Sequence, residues 1–242
     1  MPPARLFLDG NAGMDEPGIM KTRQGGFIRG LAVILGLVGI SLLASAAAAP
    51  LPPSRQARVA LVVGDVRLDG KPADIGMTLG AKVLVKTGKD SRCDIVFGGG
   101  NAISFGQNAV ADIDFATAAI GIRLQQGGVT SVLKKLEKIV GKAAFDITTP
   151  AVTAAVRGTC FCVWSSGNQT YVCACNGKVH FQDSAGGKAL DLAAAHHDGR
   201  IFTKEGSRVS VVPAGVLHHD DSSVESVAKD IGYTIDWTKI DD

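Results

Sequence analysis

An all-β fold, a Gly- and turn-rich roll or sandwich of solenoid-like character, is what this 242-residue sequence predicts. Three features predict it. Short apolar runs rich in Val and Ile recur about every 8–12 residues. Gly, Asn and Asp punctuate them, and Gly alone contributes 30 residues. The apolar residues inside the runs alternate with polar ones, as a half-buried strand requires. The formal net charge is only +2, with 25 basic against 23 acidic residues. That near balance excludes a strongly basic nucleic-acid binder and an acidic solvating tail.

Residues 1–48 stand apart from this pattern. The block Leu31 to Ala49, LAVILGLVGISLLASAAAA, follows Lys21, Arg23 and Arg29 and precedes Pro50. A basic stretch, an apolar stretch and small residues at Ala44-Ser45-Ala46 or Ala46-Ala47-Ala48 make a secretory signal. Asp9, Asp15 and Glu16 are foreign to such a signal, so Met20 is the more natural start. Cleavage would leave a periplasmic or secreted protein. Retention would leave an inner-membrane anchor with the domain outside the cytoplasm, and only then is the membrane a partner. No Cys stands at the cleavage point to take a lipid.

Residues 49–213 carry the β pattern. VALVVGDVRLDGKPADIGMTL, AKVLVKTGKDSRCDIVFGGGNAISFGQNAVADIDF and IGIRLQQGGV alternate around DG, GGGN and QQGG, turn sequences that need positive φ. One interruption reads as a short helix near 131–141. There Val132, Leu133, Leu136, Ile139 and Val140 share a face at 3.6 period and Lys134, Lys135, Lys138 and Lys142 occupy the rest. Strands resume from AFDITTP through RVSVVP. Residues 214–242 form a tail in which Asp221 or Ser222 caps a short helix to about Asp230, with Glu225 in a capping-box role. Ile231, Ile235 and Trp237 are placed to tuck this tail against the β domain.

The order of motifs in this β stretch resembles the periplasmic domain of the FecR family. Gly64-Asp65-Val66 is followed by Thr78-Leu79-Gly80, then Thr87-Gly88-Lys89-Asp90-Ser91, then GGGNAISFG and Gly127-Gly128-Val129. FDITTPAVTAAVRGTCFCV comes last, with Thr149, Pro150, Arg157, Gly158 and Thr159 as its most specific positions. The resemblance covers about Val59 to Phe181 and implies an all-β, solenoid-like or rolled domain. It covers the β domain without the family's sigma-binding N-terminal segment or its C-terminal signalling module.

The densest chemistry is CFCVWSSGNQTYVCAC. Alternation puts Cys160, Cys162 and Trp164 on one face of a strand, and Tyr171, Cys173 and Cys175 on one face of the next. With Gly167-Asn168 as a two-residue turn, Trp164 faces Tyr171, Cys162 faces Cys173 and Cys160 faces Cys175. Three readings are open: cross-strand disulfides, a Cys₄ site for zinc or another soft metal, or buried free thiols. Some FecR-like exported proteins share a C-x-C-x-G stretch with a later His-His-Asp. That resemblance matches Cys173, Cys175, Gly177 and His196-His197-Asp198 and adds His196 or His197 as metal ligands. Only one of two adjacent histidines can face a given side of a strand, so both would need a turn.

Other polar residues read blandly. Cys93 alternates with Ile95 and Phe97 as a small buried hydrophobe. His218-His219-Asp220-Asp221 reads as a solvated loop and helix cap, and His180 as a surface strand residue. Asp112 and Asp114 share a strand face without a second acidic cluster or an aromatic sugar platform. Ser104 and Thr159 have no evident base, and Gly98-Gly99-Gly100 opens no helix and reads as a hairpin turn. No nucleophile elbow, P-loop or zinc-protease helix is present. The expected function is therefore non-enzymatic and cofactor-free: an exported FecR-domain protein that serves as a binding, scaffold or envelope-signalling module. Its expected partner is a protein or envelope component and not nucleic acid. The alternative is a metal-binding or thiol-redox protein built on the cysteine hairpin.

Overall fold

Two long strands organise the molecule, and each serves two sheets in turn. The computed structural model describes residues 56–117, 119–134, 136, 144–156, 158–187 and 189–241. The N-terminal extension with the expected secretory segment, Arg157 and most of the expected 131–141 helix lie outside these residues.

The strands are β1 (Ala57–Val63), β2 (Val66–Leu68), β3 (Lys71–Pro72), β4 (Lys82–Thr87), β5 (Arg92–Phe97), β6 (Asn101–Phe105) and β7 (Val110–Asp114), then the long β8 (Ile120–Leu133). After them come β9 (Phe145–Thr148), β10 (Val152–Val156), β11 (Thr159–Ser166) and the long β12 (Gln169–Asp183). The series ends with β13 (Ala189–Ala194), β14 (Asp198–Glu205), β15 (Arg208–Ala214) and the helix α1 (Asp221–Lys229).

The first part of β8 lies between β7 and, in parallel, β9, whereas its last part lies between β6 and β11. Likewise the start of β12 pairs with β11 and β14, and its end with β10 and β13. One run is therefore β3-β2-β4-β7-β8-β9-β10-β12-β13, and the other β1-β5-β6-β8-β11-β12-β14-β15. Because β8 and β12 belong to both, β8, β9, β10, β12 and β11 close a ring and the sheet is rolled on itself. Glycines mark where the long strands change sheets. Gly127 has φ 81°, and a Cβ there would come within 2.6 Å of Ala109 Cα. Gly177 has φ 126°, and a Cβ there would come within 1.9 Å of Thr159 Oγ1.

Inside the roll, alternate residues of both runs pack one core. Phe97, Phe115, Phe145 and Phe161 form its centre, with ring centroids 5.7–6.2 Å apart. Cys93 lies in this core beside Ile95 and Phe97, fully buried. The outer face of the β5-β6-β8-β11-β12 run is also apolar, and α1 covers it with Val224, Val227 and Ala228.

The two-sided burial accounts for the one misplaced element. Residues 131–133, expected to begin a helix, are the end of β8 and pair with β6 and β11. Leu133 faces the core and Val132 faces α1, so both parities are apolar and the strand imitates a helical period.

The C-terminal helix is present with a shifted cap. Asp220, not Asp221 or Ser222, is the N-cap: Ser223 N donates to its carboxylate at 2.8 Å, while Asp220 N donates to Ser223 Oγ at 3.0 Å. Glu225 has a different task, accepting the Trp237 indole N–H at 3.0 Å. The tail is held by Asn176, whose Nδ2 shares its two hydrogens among the carbonyls of Asp236 and Lys239 in the tail and of Ala195 after β13. Ile235 packs under it. Among the described residues no helix is long and apolar enough to cross a membrane.

Candidate metal centre

The hairpin of β11 and β12 has the two-residue turn that its sequence demands. Ser166 pairs with Gln169, and Gly167 takes φ 58° at the first turn position. From there Trp164 opposes Tyr171 and Cys162 opposes Cys173. A β-bulge between Cys160 and Phe161 then shifts the register, and Cys160 opposes Asn176 instead of Cys175. The expected fourfold opposition of sulfurs is corrected accordingly. All five cysteines are free thiols. The close sulfur pair is Cys175 with Cys162, at 3.5 Å.

The bulge leaves Cys160 under Lys134 and Asp241, where burial pushes its thiol up to about 12. The other three sulfurs stay together on the outer face, beneath the connection into α1. His197 reaches them from the start of β14. Its φ of 44° is a left-handed turn conformation, unusual for a residue other than Gly. Its N–H donates to Cys175 O at 2.9 Å, and its Nδ1 lies 3.6 Å from Cys173 Sγ. This turn separates the histidine pair. His197 is 5% exposed in its side chain, whereas His196 is 51% exposed and contacts Asp221 at 3.0 Å.

His219 enters from the opposite side. Its Nε2 is 3.4 Å from Cys175 Sγ and 3.3 Å from His197 Nδ1. The sequence placed it in a solvated loop, and the clue that could have found it is the second His-His-Asp, at 218–220, echoing the one at 196–198. Its neighbour His218 leaves the cluster and stacks on Trp164, centroids 4.5 Å apart. Ligand-capable atoms of Cys173, Cys175, His197 and His219 all lie within 4.8 Å of one another. Such a set can hold a soft or borderline divalent ion, or pair a thiolate with an imidazolium.

The electrostatics favour that charge separation. A hydrogen bond from Cys175, and then those from His197 and His219, hold Cys173 down to about 3 against the effect of burial. Burial opposes charge on His219, but its hydrogen bonds to Cys162 and Cys173 raise it to about 11. Cys175, fully enclosed, is pushed up by burial and by the sulfurs beside it.

The family-motif residues perform structural tasks elsewhere. Thr149 Oγ1 donates to Val152 O at 2.9 Å and accepts from Val152 N, closing the Pro150-Ala151 turn between β9 and β10. Thr159 Oγ1 donates to Asn176 O at 2.7 Å, across the place where Gly177 must lack a side chain. Gly158 has φ 151°, and a Cβ there would lie 3.4 Å from Leu133 O. Asp114 is paired with Lys82 and Asp112 accepts from Gln125, while His180 meets Asp191 on the surface. Ser104 accepts from Arg92, and Gly98 and Gly99 form the turn between β5 and β6.

Residues 83–180 match the family model described as FecR protein. No curated protein matches this chain. Two solved structures of a candidate anti-sigma factor from Parabacteroides distasonis ATCC 8503 resemble it. One has a TM-score of 0.44 at 13% identity and covers 55% of this chain and 61% of that one. The other has a TM-score of 0.42 at 14% identity, with coverages of 55% and 60%. This chain thus spans about three fifths of the length of those proteins.

Proposed function

We propose that this chain, whose residues 83–180 match the FecR family model, acts in the cell envelope as a binding module of a signalling system, not as an enzyme. The observation that carries the reading is the FecR match over residues 83–180, which spans the strands β4 to β12 that build most of the roll. The apolar block Leu31–Ala49 behind basic residues supports export of that domain. In this reading the partner is a protein or another envelope component.

The sheet edge at β15 supports a protein partner. Among the described residues this strand pairs with β14 alone, and Val212, Val216 and Leu217 are exposed in and just after it. An edge with free backbone groups and adjacent apolar side chains can accept a strand from another chain. Pro213 limits that pairing to part of the edge, which favours a short segment.

A photo-crosslinking residue in place of Val212 in the full chain, expressed in cells and fractionated by osmotic shock, tests this. The expected result is one discrete protein adduct in the envelope fraction, absent when the residue replaces Ile75, which is 63% exposed near β3. Retention of the chain in the cytoplasm, or adducts equal at both positions, would sink the reading.

A further inference from the structure

We propose that Cys173, Cys175, His197 and His219 bind one zinc-class divalent ion, and that the ion fastens the C-terminal strap, residues 215–241, to the sheet. A tetrahedral zinc ion with Zn–S about 2.3 Å and Zn–N about 2.0–2.1 Å places two nitrogens about 3.3 Å apart, and a sulfur and a nitrogen about 3.5–3.6 Å apart. The observed edges are 3.3 Å for His197 Nδ1 to His219 Nε2, 3.4 Å for Cys175 Sγ to His219 Nε2, and 3.6 Å for Cys173 Sγ to His197 Nδ1. Three of the six edges thus have the length of a tetrahedral zinc set, and all four atoms lie within 4.8 Å of one another.

The outer partners have the arrangement that a metal site uses. A ligating histidine donates its other ring N–H to a carboxylate or a carbonyl, which fixes its tautomer. His197 Nε2 is 2.7 Å from Asp221 Oδ1, and His219 Nδ1 is 2.7 Å from Leu217 O. Each histidine thus presents its free nitrogen to the sulfurs. Four protein ligands leave no open position, which makes the site structural and not catalytic. A cavity of about 140 Å³, lined by Thr130, Cys162, Trp164, Tyr171 and His218, borders His219.

The consequence for the fold follows from where the ligands sit. Cys173 and Cys175 belong to β12 and His197 lies at the edge of β14, but His219 immediately precedes the α1 cap. Asp221, in the first turn of α1, holds His197. One ion would join the sheet to the start of the helix and so keep α1 over the apolar outer face. Cys162 stays a neighbouring thiol, hydrogen-bonded with Thr130 at 3.4 Å.

The test uses the full chain, purified reduced and metal-free, titrated with zinc alone and with Co²⁺ as a spectroscopic stand-in. One equivalent should bind, and Co²⁺ should show tetrahedral d–d bands with a thiolate charge-transfer band. Cys173→Ser and His219→Ala should each abolish that spectrum, and His218→Ala should keep it. Asp221→Asn, which alters a positioning residue, should weaken zinc by roughly 10–100-fold with the tetrahedral spectrum retained. A parent chain that binds no zinc overturns the proposal, as does an unchanged spectrum in Cys173→Ser. Should the variants not fold, thiol alkylation of the parent decides. Zinc should protect Cys173 and Cys175 and a chelator should release them, with Cys93 and Cys160 unaffected; equal labelling with and without zinc overturns the proposal.

Discussion

Replacing Asp230 with Asn should raise stability above neutral pH and leave it unchanged in acid. Asp230 ends α1, half-buried against the outer face of the roll, close to Asp94, Arg92 and Arg58. Asp94 is fully buried and paired with Arg92 at 2.5 Å. Burial first, and then the like charge of Asp94, raise the Asp230 carboxyl from 3.8 to about 6, against the pull of the two arginines. The folded protein therefore holds this proton more tightly than the unfolded chain does. Its stabilising contribution is complete below about pH 4, is lost as pH rises through about 6, and stays lost above that. A rise of that size corresponds to about 3 kcal/mol at most. Half-exposure and screening reduce this to roughly 1 kcal/mol. Asn offers Asp94 an N–H donor where the protonated acid offers its O–H, and it carries no charge. Urea unfolding of both chains from pH 4 to 8 is the assay. The two curves should coincide near pH 4 and separate by roughly 1 kcal/mol by pH 7. Parallel curves across the range would refute the reasoning, and so would a less stable variant at pH 7.

Three further outcomes follow from packing. Gly177→Ala should cost about 3 kcal/mol or more, since its Cβ would come within 1.9 Å of Thr159 Oγ1 at a φ of 126°; thermal unfolding reads it, and a loss under 1 kcal/mol would contradict the structure. Asp220→Ala should remove the α1 cap at a cost of about 1 kcal/mol, seen as faster amide exchange in residues 221–229 with the core strands unchanged. His218→Ala should change the Trp164 fluorescence, because the imidazole stacks on that indole 4.5 Å away, while leaving the unfolding midpoint nearly fixed. Identical emission spectra would mean that the stack is not populated in solution.

Much of the cysteine hairpin was legible before any coordinates. Alternation and a Gly-Asn turn set its register as far as Cys162 and Cys173, because both signals act within a few residues. The bulge at Cys160 was not legible. Nothing in the local pattern shows that β12 must there leave one sheet for the other. The 131–133 segment misled for a related reason. A strand buried on both faces loses the alternation that identifies it, and α1, about ninety residues later in the chain, is what buries the second face. His219 was missed because residue type alone does not separate a solvated loop from one that folds back over a sheet.

The sequence by itself determined the all-β class, the turns, the pairing of the hairpin near its tip, and a C-terminal helix beginning within a residue or two of Asp220. Periodicity and turn chemistry are short-range properties, and they survive without knowledge of the rest of the chain. Only the tertiary structure decided which cysteines stay together, which histidine of each pair turns inward, and that two C-x-C residues meet two imidazoles from distant segments. Those choices depend on where β12 bends and where the tail returns. Both are set by burial of the outer sheet face under α1, a long-range packing outcome that no local pattern encodes.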